Sequence, residues 1–88
     1  MSQHKLRADL EALHAELRQT NSVDSHQREL LQTLSDDIHK LLTRPDQQKQ
    51  YQGLGDQLGE AIAQLEASHP RVTLLMRQVI DSLSYLGI

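Results

Sequence analysis

Cysteine is absent from this 88-residue chain, and so are phenylalanine and tryptophan. Without cysteine there can be no disulfide and no thiolate metal site. The two tyrosines, Tyr51 and Tyr85, are too few and too far apart to form a platform for stacked bases. No run of Lys or Arg occurs. Nine basic residues are mixed along the chain with twelve acidic ones, for a net charge of −3, so the electrostatic footprint of a nucleic-acid or anionic-membrane binder is missing. Neither nucleic acid nor membrane is an expected partner. Long apolar runs are lacking too: the longest aliphatic run, Leu74-Leu75-Met76, falls far short of the ~20 residues of a membrane span. The leading segment MSQHKLRADLEALHAEL is interrupted by charges and has no apolar signal-peptide core. A soluble cytoplasmic protein is expected.

What the chain does have is leucine. Sixteen of its 25 Leu, Ile, Val and Met residues are Leu, which points to an aliphatic core carried on helices rather than strands. The length allows one domain. Chains this small are often marginal alone and gain stability from partners, metals or disulfides; with disulfides excluded, helix packing and self-association remain.

Four helix-periodic segments follow. Leu6, Leu10, Leu13 and Leu17 lie within a wedge of about 60° on a helix, a coiled-coil-like seam, with Ser2 as a candidate cap. The turn formers of Thr20 to Ser25 end it. Leu30, Leu31, Leu34, Ile38, Leu41 and Leu42 spread over about 120° of a second helix, capped by Asp24 or Ser25, with Val23 placed for a hydrophobic staple and Asp36–Lys40 as an outer i,i+4 pair. The short link between them implies an antiparallel hairpin. Arg44-Pro45-Asp46 stops the second helix.

Beyond it, Leu54, Leu58, Ala61, Ile62 and Leu65 keep helical spacing, while Gly53, Gly55 and Gly59 would each cost about 1 kcal/mol relative to Ala inside a helix. Two readings compete: a helix that begins near Asp46 and tolerates its glycines, or one that begins at Asp56 behind a mobile linker. The first, one long third helix with a weak first half, is the favoured expectation, with 45–55 as its candidate flexible part. Gly55, Gly59, Ala63 and Ala67 recur every fourth residue, a small-residue ridge on which another helix could pack closely. Ser68, His69 and Pro70 mark a stop and restart, with proline in the first turn of the last helix and Gly87 at its C′ position. Together these signals predict helices over 3–19, 25–43, 47–67 and 70–86 in a single all-α domain spanning 1–88, its antiparallel hairpins forming a small four-helix bundle completed by oligomerisation.

The last helix motivates that final clause. Val72, Leu75, Met76, Val79, Ile80, Leu83 and Leu86 cover about 140° of it, and Leu74 and Tyr85 fall on the opposite side. Neighbours on two sides are expected, with a second copy as the simplest cover. The candidate core or oligomer face is therefore Leu74, Leu75, Met76, Val79, Ile80, Leu83, Tyr85 and Leu86.

Constellations that could carry chemistry are sparse. No two of His4, His14, His26, His39 and His69 stand three or four apart, so no helical metal clamp is present; surface and cap histidines are the simpler reading. Asp24-Ser25-His26 holds triad residue types, but adjacency is not triad geometry, and a helix N-cap explains it. Asp36 and Asp37 point about 100° apart on a helix and do not form a proton-sharing pair. The glycines at 53, 55 and 59 lack the spacing and the preceding strand of a phosphate loop. No catalytic residue, metal site or cofactor is expected.

LEASHPRVTLLMRQVIDSLSYLGI resembles the C-terminal signature of the bacterial family called domain of unknown function 4404, in which an acidic residue and His-Pro precede an aliphatic helix ending in Gly-Ile. Glu66, His69, Pro70, Gly87 and Ile88 carry the likeness, and LHAELRQTNSVDSHQRELLQTLSDDI resembles the same family's leading hairpin. The match is weakest at the glycines of 53–59. The resemblance implies a small free-standing bacterial protein and brings no activity with it. The expected function is that of a non-catalytic, homo-oligomeric interaction or regulatory module, a dimer or tetramer of itself or a partner of another protein. A nucleic-acid-associated regulator is the alternative, which acidity and the lack of an Arg- and Lys-rich recognition helix weigh against; an enzyme comes last.

Overall fold

The structure, a computed structural model, describes residues 2–44 and 51–87. It contains four α-helices: α1 (Ser2–Gln19), α2 (Ser25–Thr43), α3 (Leu54–Leu65) and α4 (Pro70–Leu86). No strand occurs among the described residues. The cross-section of 21 × 19 Å is about two helix diameters each way, and the long axis is 37 Å. These dimensions describe a two-by-two array of helices.

Each helix contributes four buried aliphatics in a three-four spacing. They are Leu6, Leu10, Leu13 and Leu17 on α1, and Leu31, Leu34, Ile38 and Leu41 on α2. On α3 they are Leu54, Leu58, Ala61 and Leu65, and on α4 Val72, Met76, Val79 and Leu83. This spacing holds one narrow stripe of each helix toward its neighbours. Cross-helix bonds fix the register: Arg7 donates to the Leu42 carbonyl at 3.3 Å, Gln57 to Asp37 at 2.8 Å, and Ser82 to Asp9 at 2.5 Å. A second contact in each pair, His14 with His39, Gln27 with Gln64 and Glu16 with Arg71, shows residue numbers rising on one partner as they fall on the other, so these neighbours run antiparallel. Burying each Leu- or Ile-sized side chain stabilises by about 1.5–3 kcal/mol.

The helix ends follow local chemistry. Asp24 is the N-cap of α2, its Oδ1 accepting from the Gln27 amide at 3.0 Å. Pro70 opens α4 from an N-cap at His69, and Gly87 closes it at φ 77°, its amide donating to the Leu83 and Ser84 carbonyls. The bounds of α2 and α4 fall where the sequence puts them. Those of α1 take in Ser2, expected as its cap.

Three expectations are corrected. The third helix begins at Leu54 and ends at Leu65 rather than spanning 47–67; residues 51–53 form a turn, with Tyr51 8% exposed and packed into the core, and the part of that expectation on 45–50 lies outside the described residues. Val23 makes no staple, being fully exposed at 104%. The broad apolar face of α4 is covered within one chain, because α4 packs extensively on both α1 and α3; its flanking Leu75, Ile80 and Leu86 are half-buried against the same core.

Two stability outcomes are expected. Leu83→Asp, at a site 2% exposed, places an unpaired charge among aliphatics and abolishes cooperative thermal unfolding by circular dichroism. Gly59→Ala, mid-helix with nothing within 4 Å of the added Cβ, raises stability in urea by about 0.5–1 kcal/mol.

Candidate functional site

The residues proposed from sequence separate into three places. Met76, Val79 and Leu83 belong to the core, while Leu74 and Tyr85 stand outside it at 54% and 82% exposure. Gly55 is half-buried, and Gly59, Ala63 and Ala67 are exposed. Among the described residues nothing packs closely on the glycines of that ridge, since an added Cβ at Gly55 or Gly59 meets nothing within 4 Å.

At the third place, the Ser68-His69-Pro70 junction, the Leu65 carbonyl accepts from the His69 amide at 2.7 Å and the Ser68 amide at 3.2 Å, and the Thr73 amide reaches the His69 carbonyl at 3.1 Å. The His69 side chain makes no capping bond, and its Nε2 is buried without a partner among the described residues. Ser68 Oγ bonds the Gln27 side chain at 3.3 Å, and Gln27 in turn donates to the Gln64 carbonyl at 3.2 Å. The junction thus ties the α3–α4 corner to the start of α2.

The acidic residues take separate partners. Asp37 accepts from Gln57 and Asp36 from Gln32 at 3.0 Å, so the two carboxylates face different donors. The expected Asp36–Lys40 ion pair is not made. The ion pairs of the described residues are Lys5–Asp9 at 3.2 Å, Arg7–Glu11 at 3.1 Å, and Arg71–Glu16 and Arg77–Glu66 at 2.9 Å each. The last two clamp α4 to α1 and to the end of α3. At the surface such pairs contribute little each, about 0–1 kcal/mol; their use here is orientation.

One arrangement is not visible in the sequence. Between α1 and α2 lies a cleft of about 600 Å³. His14 and His39 both line it, their rings stacked against each other with centroids 5.6 Å apart and planes at 29°. Arg18 follows His14 by one turn of α1, and Arg28 enters from α2; both line the cleft, and neither makes an ion pair among the described residues. Leu17 and Leu31 form its apolar floor. The two histidines are 25 positions apart, so a search for ligands within one helix passes over them. Their signal is the hairpin register: His14 follows Leu13 and His39 follows Ile38, two core residues on paired helices.

Burial holds the pKa of His14 below its ordinary 6.5, with smaller contributions in the same direction from the charges of His39 and Arg18. No group of three or more His, Asp or Glu side chains suited to a metal ion occurs among the described residues, and no described helix is long and apolar enough to cross a membrane.

The sequence profile of the family described as a domain of unknown function, DUF4404, matches residues 6–88. The chain belongs to that family. No curated protein and no solved structure matches it significantly. The family match extends from the first core leucine to the end of the chain, through the glycine segment where the resemblance was weakest.

A pH dependence follows from His14. Its folded pKa lies below its unfolded value, so between the two the unfolded chain binds more protons and stability rises with pH. The full contribution is present above about pH 6.5 and is lost as pH falls through the unfolded and then the lowered folded value. Urea unfolding followed at several pH values is expected to show stability declining below about pH 6.5, with a shallower decline in His14→Gln.

Proposed function

We propose that this chain is a non-catalytic interaction module that acts as a homodimer paired through the outer strip of α4. The observation that carries this reading is the spacing of that strip. Leu74, Gln78, Asp81 and Tyr85 stand four, three and four residues apart, the same stripe geometry that each helix uses for the core, on the side of α4 turned away from it. All but the two apolar ends are polar, and those ends are the exposed Leu74 and Tyr85.

The strip is self-complementary under two-fold symmetry. In an antiparallel α4–α4 pair, Leu74 of one copy meets Tyr85 of the other at both ends, and Gln78 lies opposite Asp81 in the middle. Residue i then contacts j while j contacts i, as an isologous interface requires. The ends, about 16 Å apart at 1.5 Å rise per residue, supply apolar and aromatic contact, and the middle supplies amide-to-carboxylate bonding without facing like charges. Tyrosine is favoured at such contacts because it buries a large ring while keeping a polar tip.

Light scattering behind size exclusion, over a hundredfold concentration range, tests the reading. The native chain is expected near twice its 10.0 kDa mass, and Leu74→Glu/Tyr85→Glu at the monomer mass with unchanged helicity, since neither side chain belongs to the core. A native chain that stays monomeric throughout, or a dimer that survives the double substitution, overturns it.

A further inference from the structure

The cleft between α1 and α2 has a composition that the dimer does not use. We infer that it is a binding site for a small phosphate-bearing molecule. Two guanidinium groups, Arg18 and Arg28, line it without an ion pair among the described residues. Four other cationic side chains (Lys5, Arg7, Arg71 and Arg77) are each matched to a carboxylate. A guanidinium fork matches a phosphate oxygen pair in geometry as well as charge. The stacked imidazoles of His14 and His39 supply ring N–H donors beside them, and Asn21, Gln32 and Ser35 add neutral polar groups to the wall.

The charge balance favours an anion. The titratable and charged groups facing the cleft are His14 and Arg18 from α1 and Arg28, Asp36 and His39 from α2. The single carboxylate, Asp36, is held by the Gln32 amide, leaving two fixed positive charges and two imidazoles against one negative charge. Stacked rings repel each other once both are protonated, and the arginines repel them further. An anion seated among them offsets the positive charge that His39 and Arg18 set against a proton on His14, so binding favours protonated His14 and strengthens as pH falls. The volume of about 600 Å³ falls within the roughly 300–1,000 Å³ of small-molecule sites, more than a bare phosphate fills. The leucine floor of Leu17 and Leu31 suits the organic remainder of the ligand.

The test is an NMR titration of the histidine ring resonances with inorganic phosphate, sulfate and chloride at matched ionic strength. Saturable shifts at His14 and His39 are expected with phosphate and sulfate and not with chloride. Sulfate, which does not titrate in this range, is expected to bind about tenfold more tightly at pH 5.5 than at pH 7.5. Arg18→Gln/Arg28→Gln, at two exposed positions, is expected to keep native helicity and weaken phosphate at least tenfold. Shifts that fail to saturate, that chloride reproduces, or that persist unweakened in the double variant overturn the assignment.

Discussion

Everything in this molecule depends on four narrow aliphatic stripes meeting in one register. Each helix commits four side chains, spaced three and four apart, to a shared interior. Because 3.5 residues per repeat nearly matches the helical turn, a stripe stays on one face for the length of the bundle. With no large aromatic ring other than Tyr51 in the interior, shape is matched with small differences between Leu, Val, Ile, Met and Ala. That is a demanding way to build a core, since the removal or addition of even one methylene is felt in a close-packed interior.

The polar groups have a different task. The cross-helix bonds are few and mostly near the surface, yet they join specific pairs of helices: Asp9 to Ser82, Asp37 to Gln57, Gln27 to Gln64 and Ser68. Aliphatic stripes alone tolerate sliding by a heptad. A bond between two particular residues does not, and such bonds select one alignment among near-equivalent ones. The alignment then decides what the outside presents, including which histidines and arginines come to share a groove.

Much of the fold was legible in the sequence because local and tertiary signals agreed. For α2 the cap at Asp24 and the stop before Pro45 bracket the periodic leucines, and for α4 Pro70 and Gly87 do the same. The third helix is shorter than expected because the helical spacing of Leu54 to Leu65 carries no signal of where it begins; the chain turns at 51–53, and Tyr51 enters the core from that turn. Val23 shows the reverse failure, a residue in the right place for a staple that packs on nothing. Leu74 and Tyr85 could be placed outside the core by projecting one helix. The His14–His39 pair could not, since it exists only after two helices have been laid side by side, and no property of either residue alone announces it.

The chain's most extensive helix contact joins its first and last helices, as in the bond from Asp9 to Ser82, 73 positions apart. The α1–α2 hairpin can form from neighbours in sequence, but the α1–α4 seam must wait until nearly the whole polypeptide has been drawn into a loop. Loop closure of this size carries an entropic cost that local helical hairpins escape. The start of α1 and the end of α4 also finish at the same end of the bundle, so a short linker there and a break in the α1–α2 turn would rearrange the connectivity without disturbing the interior. The seam that closes the fold would then become a hairpin.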